Sequence, residues 1–499
     1  MYENQLFICF ILPNTFLNEI DTITNGVCVH PDLLWRTLTD CHMLKRYVFF
    51  WSLVVSLSGF LFGFDTAVIS GAEKSIQLYW NLNAVQHGLT ISIALIGTVV
   101  GALLGAIPSD RIGRKKTLIV IALLYLVSSL GTSLSTNWFM FLFFRFAGGL
   151  GVGASSVTAP IYISEVSPAA KRGGLVALFQ FNVVFGILMS YLSNYLIGYT
   201  GENPWRLMLG IQAIPSFLFL VLLRFIPESP RWLILHKGNI EEAGKDMTEA
   251  SKDMAEASKT LQIVSPGTYE RDVAAIRAAG VLQREDTDPA PLLSKKYRTP
   301  VTLAILFAVF NQVSGINAII YYSPRIFEMT GLGKHSSLLS TVGIGAVNFL
   351  FTALAINFID RFGRKTLMLI GSVGLVLSLG FVSYAFFTRD FSGNLVTICL
   401  LMYIAFFAFS QGAVIWVFIS EIFPNAVRAK GQTLGSFTHW AMAALITFSF
   451  PYLAEKFGGG DIFAFFSVMM CLQFLFVWKK MPETKGRSLE QMEGALLVH

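Results

Sequence analysis

The sequence predicts an all-α polytopic membrane protein, and three observations carry that prediction. Charged residues make up 14% of the 499 and hydrophobic ones 54%, whereas soluble domains are about a quarter charged. The mean hydropathy is +0.61. Apolar runs long enough to cross a hydrocarbon core, which takes about twenty residues, recur from end to end, with Phe alone occurring 44 times.

Twelve spans follow in order, near 48–71, 86–107, 116–134, 138–161, 174–198, 206–226, 300–328, 337–359, 365–388, 396–419, 430–455 and 460–481. The one long polar interval, 227–299, separates the first six from the last six. This gives an N-terminal half at 43–226, a linker domain at 227–299, a C-terminal half at 300–481 and a tail at 482–499. Within the linker, "KDMTEASKDMAEASK" (245–259) is a seven-residue tandem repeat that reads as a solvated helical spacer. Residues 1–42 are mixed in composition and precede "MLKRYVFFW", so either Met43 is the biological start or 1–42 form a dispensable extension. "LFICFIL" lacks the basic flank of a signal peptide.

Short loops set the orientation. "DRIGRKK" (110–116), "AAKRG" (169–173), "DRFGRK" (360–365) and "VRAKG" (427–431) are basic, and the alternate loops carry only scattered cations. By the positive-inside rule these loops, the linker and both termini face the cytoplasm. The net charge of +6 therefore belongs to topology and not to nucleic-acid binding. Cys9, Cys28, Cys41, Cys399 and Cys471 show no paired or metal-ligand spacing, so neither a disulfide framework nor a metal site is expected.

The halves repeat. "SDRIGRKK" at 109–116 returns 250 residues later as "IDRFGRKT", and "ISEVSPAAKRGG" at 163–174 returns 256 residues later as "ISEIFPNAVRAKG". "PESP" at 227–230 returns as "PETKG" at 482–486. Paired six-helix halves predict a site at their interface near the midplane.

Two charges lie deep in the first half. Asp65, in "GFLFGFDTAVISG" (59–71), and Arg145, in "FLFFRFAGG", both lie at a predicted depth of roughly 10 Å at 1.5 Å per residue. An isolated charge there costs at least about 2.5 kcal/mol, so pairing is the economical arrangement. Two readings of the pair stand: a permanent structural bridge, or a site where the acid alternates between a proton and Arg145. In the second reading the proton belongs to the acid, because arginine stays charged. Gly59, Gly63 and Gly71 would allow close helix approach.

A polar set marks the second half. Asn311, Gln312 and Asn317 surround Gly315 on span seven, and amides match sugar hydroxyls as donors and acceptors. Gln180 on span five and Asn348 on span eight add amides at matching depth. The alternative role for such amides is interhelical hydrogen bonding. No phosphate-binding loop, HExxH motif or nucleophile–base pair is present, so an enzyme is disfavoured, and no cofactor is implied.

Together, "GRKK", "PIYISEVSPAAKRG", "PESPRWL", "QVSGINAIIYYSP", "DRFGRK" and "PETKGRS" resemble the sugar porter family of the major facilitator superfamily, over about 45–490. "FGFDTAVISG" is most similar to the bacterial sugar–proton symporters, whereas facilitative relatives typically carry an amide in place of the acid. The resemblance implies proton coupling at Asp65 and Arg145, and sugar binding at Gln180, Asn311, Gln312, Asn317, Asn348, Trp416 and Trp440. It makes Tyr321 and Tyr322 outer-gate residues. It also implies a cytoplasmic ion-pair latch of Asp110–Arg114, Glu165–Arg172, Asp360–Arg364 and Glu421–Arg428, against the simpler reading of those bases as topology signals.

Departures are visible. Asn311 stands where a glutamine is usual, Gln411 and Ala413 where Trp and Pro are frequent, and His439 where a glutamine stands. His439 can hydrogen-bond sugar, serve as a second proton site or make a structural bond. The expected protein is a monomeric proton–monosaccharide symporter of the bacterial inner membrane, for a hexose or pentose. A uniporter and a non-transporting sugar sensor are the alternatives. A drug or organic-ion carrier is disfavoured by the uncharged central positions.

Overall fold

The computed structural model describes residues 31–168, 171–236, 247–285, 291–391, 394–424 and 427–485. Side chains are described from Arg46 onward, except at 247–250, 279–285 and a few single positions that include Asp360. Residues 1–30 of the expected extension and 486–499 of the expected tail therefore lie outside the description. Two compact units divide the chain, Met1–Phe50 and Trp51–His499. The described part of the first is helical, and the second contains the repeated halves and the linker.

Among the described residues there is no strand. The first half comprises α1 (Pro31–Tyr79), α2 (Ala84–Leu104), α3 (Ala106–Ile112), α4 (Arg114–Ser133), α5 (Trp138–Glu165), α6 (Arg172–Ile197), α7 (Pro204–Gly210) and α8 (Ala213–Leu222). The linker supplies α9 (Pro230–His236), α10 (Met247–Val264) and α11 (Tyr269–Glu285). The second half comprises α12 (Arg298–Val313), α13 (Ile316–Met329), α14 (Lys334–Phe362), α15 (Arg364–Thr388), α16 (Leu395–Phe409), α17 (Gln411–Glu421) and α18 (Arg428–Lys480).

Among the described residues, eleven stretches are long and apolar enough to cross a membrane. The last of them, α18, contains Gly458 at φ 81° and ψ 170°, which splits it into two limbs and brings the crossings to the expected twelve. Span one continues as helix to Tyr79, past the expected end at 71, because "AEKSIQLY" keeps strong helix formers despite its charges. Span seven is two helices. Gly315 sits at φ 88°, a left-handed conformation that ends α12 and restarts the chain as α13. Tyr403 holds this break by donating its hydroxyl to the Ser314 carbonyl at 3.0 Å. Span ten likewise changes direction at Ser410, between α16 and α17.

Backbone contact without side chains brings α1 onto α6. A Cβ on Gly63 would lie 1.9 Å from the Val183 carbonyl oxygen, and one on Gly186 would lie 2.1 Å from that of Phe60. The two halves meet where α18 packs on α2 and where α14 packs on α6. From Met247 onward the linker repeat is helical, as expected, but α10 does more than space. Ala257 and Leu261 pack with Trp232, Leu233 and Ile234 of α9 in a small core of its own.

Candidate functional site

Asp65 and Arg145 meet as the equal-depth argument requires. Arg145 Nη1 donates to Asp65 Oδ1 at 3.0 Å, and the two residues are 2% and 1% exposed. Gly148, almost one turn after Arg145, keeps the approach open, since a Cβ there would come within 2.4 Å of Ser128 Oγ. Arg145 Nε has no hydrogen-bond partner. A buried pair of this kind is expensive to break from one side, at about 3–5 kcal/mol.

In the second half the break at Gly315 assembles the amides. Without it, Gln312 and Asn317 would point to different faces of one helix. With it, Asn317 Nδ2 donates to Gln312 Oε1 at 2.6 Å, and Gln312 Nε2 donates to Asn311 Oδ1 at 2.9 Å. Gln312 Nε2 also lies 3.2 Å from each ring nitrogen of His439. Trp416 flanks that imidazole at 4.8 Å between ring centroids, and Trp440 meets it edge-on at 4.9 Å. Phe62 of the first half reaches Trp440 at 5.5 Å, so the aromatic wall straddles the halves. The arrangement offers hydroxyl-matching amides beside flat indole surfaces, the pairing a pyranose needs.

Six of the expected sugar residues thus form one cluster. Gln180 and Asn348 make no hydrogen bond to it among the described residues; Gln180 is exposed on α6, and Asn348 is 9% exposed on α14. Tyr321 and Tyr322 are buried. Tyr322 donates to the Thr447 carbonyl at 3.0 Å and stacks on Phe450, while Tyr191 of α6 donates to the Ile320 carbonyl at 2.9 Å. Of these, the Tyr191 bond joins the two halves and seals the end opposite the basic loops. Ion pairs reinforce the seal, with Lys74 meeting Glu328 and Arg325 meeting Glu73 at 3.0 Å. Sequence reasoning missed Glu73, because the apolar run of span one ends at 71, and passed over His87 and Arg325, which lie near the ends of spans two and seven. The available signal was position, since Glu73 lies eight residues beyond Asp65 on the same helix.

At the basic end the pairing differs from expectation. Asp110 does bridge Arg114 at 3.1 Å. Glu165, however, takes Arg114 at 3.0 Å and not Arg172, which is exposed at the start of α6. Glu421 takes Arg364 at 2.9 Å and not Arg428, whose Nε donates to the Phe423 carbonyl. The Asp360 side chain lies outside the description, so Asp360–Arg364 is not placed.

The cause of the re-pairing is a mirrored turn. Gly113 and Gly363 adopt φ +100° and +85°, throwing Arg114 and Arg364 inward. Glu228 then accepts the Arg114 and Lys115 amides at 2.9 and 3.0 Å. Glu483 does the same for Arg364 and Lys365, both at 3.0 Å. Each carboxylate thereby sits on a helix N-terminus, where the exposed amides favour negative charge. Burial pushes the Glu228 carboxyl above the ordinary carboxylate range, and the Lys115, Ser229 and Arg114 amides pull it back. Each of these pairs lies within one half.

Residues 51–496 match the family described as sugar (and other) transporter. The chain belongs to this sugar transporter family. Family members are transporters and not enzymes, and the chain is a multi-pass membrane protein. This sugar transporter is 33% identical over 491 residues to the D-xylose-proton symporter of Escherichia coli (strain K12), covering 90% of this chain and 96% of that one. It is 36% identical over 470 residues to the glucose transport protein of Synechocystis sp., covering 90% and 97%. The inward open conformation of the xylose transporter XylE from E. coli superposes with a TM-score of 0.77 at 32% identity, covering 90% and 100%.

Proposed function

We propose that this transporter imports a monosaccharide, hexose or pentose, together with a proton by alternating access. The observation that carries the proposal is Asp65, a buried carboxylate whose described ionic partner is Arg145 in the same half. A pair inside one half leaves the acid free to exchange Arg145 for a proton without unlocking the halves. The amide–indole cluster of Gln312, Asn317, His439, Trp416 and Trp440 is the sugar site, and Gln180 and Asn348 complete it when sugar is bound. Tyr321 and Tyr322 close above it. The basic loops face the cytoplasm of a bacterial cell, both termini lie there, and the protein works as a monomer.

With the outer end sealed, the described conformation is inward-facing, and the likeness to the inward open XylE supports that reading. In the outward-facing state the two basic-end clusters would meet across the halves and serve as the latch.

Uptake of a radiolabelled sugar panel into proteoliposomes tests the proposal. An imposed gradient, acid outside, is expected to stimulate uptake of at least one sugar above its equilibrium level. Transport of any sugar without stimulation of any would leave a uniporter. Gln312→Ala is expected to raise KM roughly ten- to hundredfold, since Gln312 joins Asn311, Asn317 and His439 and its loss leaves buried polar groups unpaired. An unchanged KM for the transported sugar would remove the cluster from the binding site.

A further inference from the structure

Glu73 lies about 12 Å beyond Asp65 along α1 and is 1% exposed. Its two oxygens face different partners. Arg325 of α13, across the halves, donates its Nε to Oε1 at 3.0 Å. His87 of α2, which is 0% exposed, places Nε2 at 2.7 Å from Oε2. The oxygen lies off the ring's N–H direction, so this is a close polar approach and not an aligned hydrogen bond. His87 Nδ1 is buried without a hydrogen-bond partner.

Contacts between the halves cover the His87 side of this triad, while Glu73 and Arg325 line a cavity of about 470 Å³. Gly88, next to His87, lies so close to α18 that a Cβ would come within 2.2 Å of the Phe448 carbonyl oxygen. The His87 ring meets Tyr322 edge-on at 6.1 Å, and Arg325 also bonds Gln77. The remaining charged groups nearby are occupied. Lys74 and Glu328 pair with each other, Lys334 is bonded to the Gly198 carbonyl, and Asp65 with Arg145 lies two turns deeper. From α5, Trp138 donates to Thr90 on the same helix as His87, and α18 presents Thr447 and Phe450 to Tyr322.

Charge counting gives the triad a function. Arginine is permanently charged. With Glu73 ionised and His87 neutral, the closed triad is electrically balanced. A further proton on His87, which is fully buried, would leave a positive charge that no partner balances and no water solvates. When the halves part at this end, Arg325 withdraws and water reaches His87, which removes the desolvation that opposes a bound proton.

We propose that Glu73, His87 and Arg325 form a second proton-binding site, separate from Asp65, that loads as the halves part at this end and unloads as they close. By linkage, acid on that side favours the open state, by up to about tenfold in the open-to-closed ratio per pH unit for one proton. The proposal rests on the alternating-access reading but does not depend on Asp65 being the coupling acid.

The test uses the full chain in nanodiscs, with its five cysteines replaced by serine and spin labels at Leu78→Cys and Glu455→Cys. Asp65→Asn is included, so that Asp65 contributes no titration. Distances are read by double electron–electron resonance at pH 8 and pH 5.5. The long-distance population is expected to grow on acidification, and His87→Gln added to this background is expected to abolish that growth. Arg325→Gln, at the half-exposed rim, is expected to hold the long distance at both pH values. No acid response before His87 is changed, an acid response that survives His87→Gln, or a closed Arg325→Gln variant would each overturn the proposal. Failure of gradient-stimulated uptake with this response intact would instead remove the coupling reading and leave the site standing.

Discussion

Asp65→Asn is expected to abolish accumulation of sugar against its gradient while preserving exchange of internal for external sugar. Asparagine keeps the shape of the side chain and an oxygen that accepts from Arg145 Nη1, so the α1–α5 contact survives. What disappears is the ability to hold a proton, and with it the link between the proton gradient and the direction of transport. The cost to the fold is smaller than deleting a partner outright, because Arg145 keeps a polar neighbour in place of an empty space. Counterflow and gradient-driven uptake in the same proteoliposome preparation separate the two effects. A variant that still concentrates sugar would show that the coupling acid lies elsewhere. A variant that loses exchange as well would return Asp65–Arg145 to a purely structural bridge.

Gly63→Ala is expected to cost about 3 kcal/mol or more, at the upper end of what overpacking imposes. The added methyl would stand 1.9 Å from the Val183 carbonyl oxygen and 2.8 Å from its carbon. Neither is the tip of a flexible side chain, so α1 and α6 must separate. Gly63 lies two residues before Asp65, so separation also displaces the acid from Arg145. Thermal unfolding of the purified protein should show a lowered Tm and a loss of monodisperse material. Gly173→Ala is the control, since nothing lies within 4 Å of a Cβ at that position, and it should fall within about 0.5 kcal/mol of the natural chain. Equal stability of the two variants would contradict the close helix contact.

The crossings, the duplicated halves and the Asp65–Arg145 pair were legible because each leaves a linear trace. A span is a run of apolar residues, a duplication is a repeated string, and two charges at matching depth limit each other's choice of partner. The pairing at the basic end left no such trace. Glu165 and Arg172 are near neighbours in sequence, but α5 ends at Glu165 and Arg172 opens α6 outside the cluster. Arg114 wins the carboxylate because Gly113 turns left-handed, a property of backbone conformation that spacing alone does not give. The Gly315 break has the same character. Helical spacing fans the amides around it over several faces, whereas the break gathers Gln312 and Asn317 into one bonded pair. Glu73 was hidden by a boundary, since hydropathy falls at its charges while the helix does not stop there.

The mirrored glutamate clamps bear on how motion travels through this molecule. Glu228 and Glu483 rivet the turns at Gly113 and Gly363 to the helices that come after them, inside their own halves. A half that swings free at that tip therefore swings as a solid beam, with no slack taken up in its shortest loops. The α2–α18 and α6–α14 seams then act as the fulcrum. If the protein works by alternating access, displacement at one face of the membrane would reach the other undiminished, and prising open either mouth would shut the other by leverage alone, without a relay of side-chain rearrangements between them.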